Sequence, residues 1–109
     1  MTFEESYRMI EEKFNGADLS KIDKNFSAEI CFTDDKQEHY IYAAYIDGKK
    51  ILEKKKPAKA DVAVKMSLQT LEMLLNKQLD PFKAFTTGKV KATGNIFLAL
   101  NLYKKFKGM

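Results

Sequence analysis

Apolar and polar positions set the first element. Phe3, Tyr7, Ile10 and Phe14 recur at i, i+4, i+7 and i+11, which places one apolar stripe on a helix. Thr2, with Glu5 three residues on, supplies a capping box, and Asn15-Gly16 ends the helix. Asp18 to Lys24 is expected to add a short helical turn. The period then changes to two. Phe26, Ala28, Ile30 and Phe32 alternate with polar neighbours, predicting a strand with these four on a buried face. Cys31 should point the other way, beside Ser27, Glu29 and Thr33. After the polar loop Asp34–Gln37, the run Tyr40–Ile46 is rich in aromatic and β-branched residues and reads as a second strand. Asp47-Gly48 is a two-residue hairpin signal, because a type I′ turn needs positive φ at both positions. Lys49–Lys54 forms the short return strand ahead of Pro57, and Val62–Met66 a fourth strand.

Helical spacing returns after Ser67, a natural N-cap, with Leu68, Leu71, Leu74, Leu75 and Leu79 on one stripe. Asp80-Pro81 starts a short helix with Phe82 and Phe85 on one side. Thr87-Gly88 ends it, residues 88–94 read as a strand between two glycines, and Asn95–Tyr103 as a last helix followed by Lys104, Lys105 and Lys107. This order predicts an α+β fold: a mainly antiparallel sheet with helices on one face. There is no internal repeat or low-complexity stretch.

The last helix breaks the amphipathic rule. From Ile96 to Tyr103 only Asn101 is polar, although a terminal helix of a small domain normally shows one face to water. Full burial, an oligomer interface, or a wall shared between core and ligand would each account for it.

Composition narrows the class. A chain of 109 residues has room for one domain, 1–109, and one core. With 45% hydrophobic and 31% charged residues it reads as globular, not disordered. No apolar run approaches the ~18–20 residues of a membrane span. The N-terminus has no basic and apolar leader pattern, and Lys107-Gly108-Met109 is not a Ser-Lys-Leu-type address. Cys31 is the single cysteine, so no intrachain disulfide is expected and a cytoplasmic location is the default. Residues 1–60 carry eleven basic and twelve acidic side chains, residues 61–109 eight and three. A second basic cluster, Lys49, Lys50, Lys54, Lys55, Lys56 and Lys59, reads as a solvated hairpin. Arg8 is the only arginine, which argues against nucleic-acid recognition.

Catalytic patterns are weak. His39 is the only histidine and no G-x-S-x-G motif accompanies it. Cys31 and His39 could meet across a hairpin, but read as an exposed strand pair. No spacing of His, Cys and carboxylates suits a metal, and Gly88 with Gly94 makes no phosphate loop. No enzyme activity, metal or cofactor is expected.

Residues 60–102 carry a resemblance. Ala60-Asp61, Met66-Ser67, Leu79-Asp80-Pro81-Phe82-Lys83-Ala84-Phe85 and Gly88-Lys89-Val90-Lys91-Ala92-Thr93-Gly94-Asn95, followed at once by an apolar helix, resemble the sterol carrier protein-2 family of sterol-transfer domains. The resemblance implies a five-stranded mixed sheet of order 3-2-1-4-5, with helices that leave an apolar tunnel. It implies binding and intracellular transfer of a sterol, fatty acid, fatty acyl-CoA or phospholipid, without catalysis. By position, Gly94-Asn95 would set how the last helix begins. Phe82, Phe85, Ile96, Phe97, Leu100 and Tyr103 would line the tunnel, and Leu71, Leu74 and Leu75 would close it. Gln78, Asn101 and Tyr103 are polar enough to meet a headgroup. Some family members touch anionic membranes through a basic first helix. Here that helix carries Glu4, Glu5, Glu11 and Glu12 against Arg8 and Lys13, so Lys104, Lys105 and Lys107 are the better candidates for transient membrane contact. The alternative is a protein-interaction or accessory subunit of a lipid-metabolising system, using the apolar last helix as its interface. A monomer or a homodimer would suit either.

Overall fold

Both ends of the first helix are held by polar contacts. In the computed structural model, which describes residues 2–19, 25–35 and 37–107 (without the side chains of 102, 103 and 105–107), helix α1 spans Phe3–Gly16. Thr2 Oγ1 accepts the Glu5 N–H at 3.2 Å and caps its start. At the other end Lys50 Nζ donates to the carbonyls of Asn15 at 2.9 Å and Ala17 at 2.6 Å, which satisfies acceptors a helix end leaves open. Lys54 pairs with Glu4 at 2.7 Å and lies 4.7 Å from the centre of the Tyr7 ring. The lysine-rich hairpin expected to be solvated is therefore partly structural: it clamps the acidic first helix. The helical turn expected over Asp18–Lys24 falls mostly on residues 20–24, outside the described residues. Asp18 and Leu19 are not helical, and Leu19 is buried.

The strands are β1 (Phe26–Thr33), β2 (Glu38–Ile46), β3 (Lys49–Glu53), β4 (Val62–Ser67) and β5 (Val90–Gly94). Asp47 at φ 51° and Gly48 at φ 81° form the I′-type hairpin between β2 and β3. The sheet order is β3-β2-β1-β4-β5, with β1 and β4 parallel and every other pair antiparallel. This is the five-stranded mixed sheet, in the same order, that the family resemblance implies.

Helix α2 (Leu68–Leu75) starts at Ser67, whose Oγ accepts the Thr70 N–H at 3.0 Å. It stops before Leu79, which the leucine spacing had placed on its stripe. Lys77 takes φ 60°, the Gln78 N–H donates to Met73 O at 2.8 Å and the Lys77 N–H to Leu74 O at 3.1 Å. That is a Schellman ending built without glycine. Helix α3 (Pro81–Thr86) is capped by Asp80 and helix α4 (Ile96–Lys107) follows β5.

The core falls into two clusters on the helix side of the sheet. One gathers Phe14, Leu19, Phe26, Ala28, Ala43 and Val62; the other gathers Ile10, Phe32, Ile41, Leu68 and Leu71. The opposite face is not bare. In the crossover between β3 and β4, Lys55 and Lys56 lie 5.2 Å and 5.1 Å from the ring centres of Tyr42 and Tyr40. Cys31, paired with Tyr40 on that face, is buried.

Candidate functional site

Strand register prepares a floor of short side chains. On the helix side, one row across the sheet reads Ala43, Ala28, Val62, Gly94 and the next Ile41, Ile30, Val64, Ala92. Alanine and glycine in these rows leave space that α1, α2, α3 and α4 roof over without filling. The result is a cavity of about 260 Å³.

Its floor is built by Ala28, Ile30, Val64, Met66, Val90 and Ala92, which follow the period-2 alternation of β1, β4 and β5. Its walls include Ile10 and Phe14 from α1, residues missed as wall positions because their stripe reads equally well as plain core. Of the nine residues expected at the wall, Leu71, Leu74, Leu75, Phe82, Phe85, Ile96 and Leu100 line the cavity. Phe97 does not. It is 78% exposed, because one step along a helix turns a side chain ~100° away from Ile96, while Ala99 and Leu100 come back to the cavity. The Tyr103 side chain lies outside the described residues. Gln78 and Asn101, weighed as headgroup contacts, are exposed and do not line the cavity.

Among the described residues every lining side chain is apolar except Lys13 and Lys77. Both follow from local structure. Lys13 sits in the last turn of α1 and Lys77 in the left-handed turn after α2, positions where cations complement the helix dipole. Neither has a side-chain hydrogen bond or ion pair among the described residues.

The motif Gly94-Asn95 fixes the roof to the floor. Asp61 O accepts the Asn95 N–H at 2.9 Å, and Asp61 Oδ2 accepts the Ser27 N–H at 2.9 Å, so one residue ties β1 to the start of α4. Asn95 Oδ1 then accepts the Leu98 N–H at 3.2 Å and caps the helix.

The two residues weighed for nucleophilic chemistry do not meet. Cys31 pairs with Tyr40 and His39 with Phe32, so they project from opposite faces of the sheet. His39 instead stacks on Phe3 with ring centres 4.3 Å apart and bonds Asp34 at 2.8 Å. The exposed strand pair expected from the sequence is also absent: Cys31 is 4% exposed. Burial raises its thiol pKa, with Glu38 adding to the rise.

Fold and cavity together define a small α+β ligand-cavity domain, roofed by helices over a mixed sheet. The chain matches the SCP-2 sterol transfer family over residues 9–107 and belongs to that family. The solution structure of palmitated SCP2L2 from Aedes aegypti superposes with a TM-score of 0.81 at 17% identity, covering 97% of this chain and 95% of that one. The sterol carrier protein domain 2 of Helicoverpa armigera gives 0.74 at 24% identity, covering 98% and 88%. The sec-alkylsulfatase Pisa1 from Pseudomonas sp. gives 0.68 at 24% identity, covering 82% of this chain and 14% of that one. A comparison with curated protein sequences finds no match.

Proposed function

We propose that this domain, residues 1–109, binds one lipid-like molecule non-covalently in the cavity and carries it between membranes or enzymes inside the cell. The observation that carries the reading is the cavity of about 260 Å³, whose lining among the described residues is apolar apart from Lys13 and Lys77. Burying an acyl tail there gains ~0.8 kcal/mol per CH₂ against water. A bilayer offers the tail nearly the same gain, so loading and unloading stay reversible.

The lining also favours a class of cargo. Among the described lining residues the polar side chains are two lysines, Lys13 and Lys77, with no hydroxyl, amide or carboxylate beside them. A single-chain amphiphile with an anionic head, a fatty acid or its thioester, fits this donor set better than a sterol or a zwitterionic phospholipid. That SCP2L2 of Aedes aegypti was solved palmitated supports the same choice. Exchange at an anionic membrane is part of this reading, with Lys104, Lys105 and Lys107 as the cations of the last helix. A second reading, an accessory module of a lipid-metabolising system, is favoured by the occurrence of this fold inside the sulfatase chain.

Displacement of a fluorescent fatty acid by palmitate, its methyl ester, cholesterol and phosphatidylcholine tests the proposal. Palmitate should displace the probe most strongly, and Lys13→Gln with Lys77→Gln should weaken palmitate by ~5–10-fold while leaving the methyl ester unchanged. Absence of saturable probe uptake would overturn the lipid reading. Equal displacement by ester and acid would overturn the anionic headgroup.

A further inference from the structure

Resting on that lipid-binding reading, we propose that the mouth of the cavity docks on an anionic bilayer, with Phe82 and Phe97 entering the interface and Lys83 and Lys104 meeting the headgroups. Among the described residues the large apolar side chains left exposed are Phe82 at 62%, Phe85 at 37% and Phe97 at 78%. All belong to α3 and α4. Phe82 and Phe85 line the cavity while standing open to solvent, so the opening lies between these helices. On α4, Phe97, Asn101 and Lys104 fall at i, i+4 and i+7 and all are exposed, which makes an outward stripe distinct from the cavity stripe Ile96, Ala99 and Leu100.

The lysines near this side carry uncompensated charge. Lys54, Lys55 and Lys65 are each paired with a glutamate. Lys77, Lys83, Lys89 and Lys104 are exposed, and none has an ion-pair partner among the described residues. Residues 61–109 carry eight basic against three acidic side chains. Exposed phenylalanine interleaved with uncompensated lysine suits a negatively charged lipid interface. Lysine is depleted in protein–protein interfaces, which argues against a protein in this place. The orientation also lets a tail pass from cavity to hydrocarbon without crossing water. The first helix, with Glu4, Glu5, Glu11 and Glu12 against Arg8 and Lys13, is repelled by anionic headgroups and takes no part.

The sequence contains no tryptophan, so Phe97→Trp introduces a single reporter at a position too exposed to disturb packing. With vesicles of phosphatidylcholine containing phosphatidylserine its emission should shift to the blue, and added salt should reverse the shift. Vesicles of phosphatidylcholine alone should give little shift, and Tyr42→Trp on the opposite face none. In co-sedimentation, Lys83→Glu with Lys104→Glu should reduce binding to the anionic vesicles at least tenfold. Fluorescent fatty-acid uptake, measured without vesicles, should be unchanged in both variants. Unshifted emission from the Phe97→Trp variant, or undiminished sedimentation of the lysine variant, overturns the docking proposal and leaves the lipid reading standing. A shift that follows protein concentration without vesicles means a second copy covers this face and overturns it equally. Loss of fatty-acid uptake in the unmodified protein overturns the underlying reading instead.

Discussion

Gly94 tolerates no side chain. Its φ is +84°, and a Cβ built there would meet the Asp61 carbonyl oxygen at 2.4 Å, the same oxygen that accepts the Asn95 N–H. Gly94→Ala should therefore cost ~2–4 kcal/mol in urea unfolding, and a variant as stable as the parent would contradict this geometry. Cys31 is the opposite case, a reactive type made inert by its surroundings. Burial raises its pKa, so the thiolate is scarce and shielded. A thiol reagent at mildly alkaline pH should label it only after denaturation, and rapid labelling of the folded protein would show the face to be open. The Gly94-Asn95 pair was legible through its family resemblance, yet its reason was not, because Asp61 is distant in sequence. Lys77 was not legible at all. A left-handed helix ending usually announces itself by glycine or asparagine, and here a lysine adopts it.

Among the elements, α4 explains why an apolar helix can end a small domain. Leu98 and Ala99 pack against the core cluster, Ile96 and Leu100 face the cavity, and Phe97 faces outward. Periodicity shows where the faces of a helix lie but not what each one meets; the fold sets one face against the core, one at the cavity and one at the surface. Three substitutions separate the faces. Leu100→Asp should abolish fatty-acid uptake with the fold retained by circular dichroism. Phe97→Asp should leave uptake intact, and Leu98→Ala should chiefly lower stability, by ~1–3 kcal/mol. Uptake lost equally in all three would mean that α4 acts only as a structural unit. The β1 part of the strand floor, Ala28 and Ile30, was readable from alternation, whereas β4 and β5 were legible only as strands. The early end of α2 was not legible, since Leu79 continues the spacing although the backbone has already turned.

Across the whole molecule, Lys54 pairs with one glutamate of the acidic first helix, Glu4, while Lys83 of α3 and Lys104 of α4 are exposed without an ion pair among the described residues. Hydrogen bonding to Lys54 lowers the Glu4 pKa; the Tyr40 hydroxyl first and Lys65 second lower that of Glu38. Both contributions to stability are complete above the ordinary glutamate value of 4.5 and are lost as pH falls through the lowered values. Urea midpoints should therefore drop below pH 4.5. The drop should be smaller in Glu4→Gln/Glu38→Gln and smaller at high salt, since both groups are exposed; an undiminished drop in that variant would place the acid sensitivity elsewhere. Among the described residues no helix is long and apolar enough to cross a membrane. An occupant that covers the apolar lining of the cavity removes it from water, so binding should raise stability markedly. Titration of the delipidated protein with a fluorescent fatty acid, followed by displacement with palmitate, tests this account most directly. Saturable uptake of one molecule per chain, reversed by palmitate and accompanied by a raised unfolding midpoint, is the predicted result; no saturable uptake and no change in stability would contradict it.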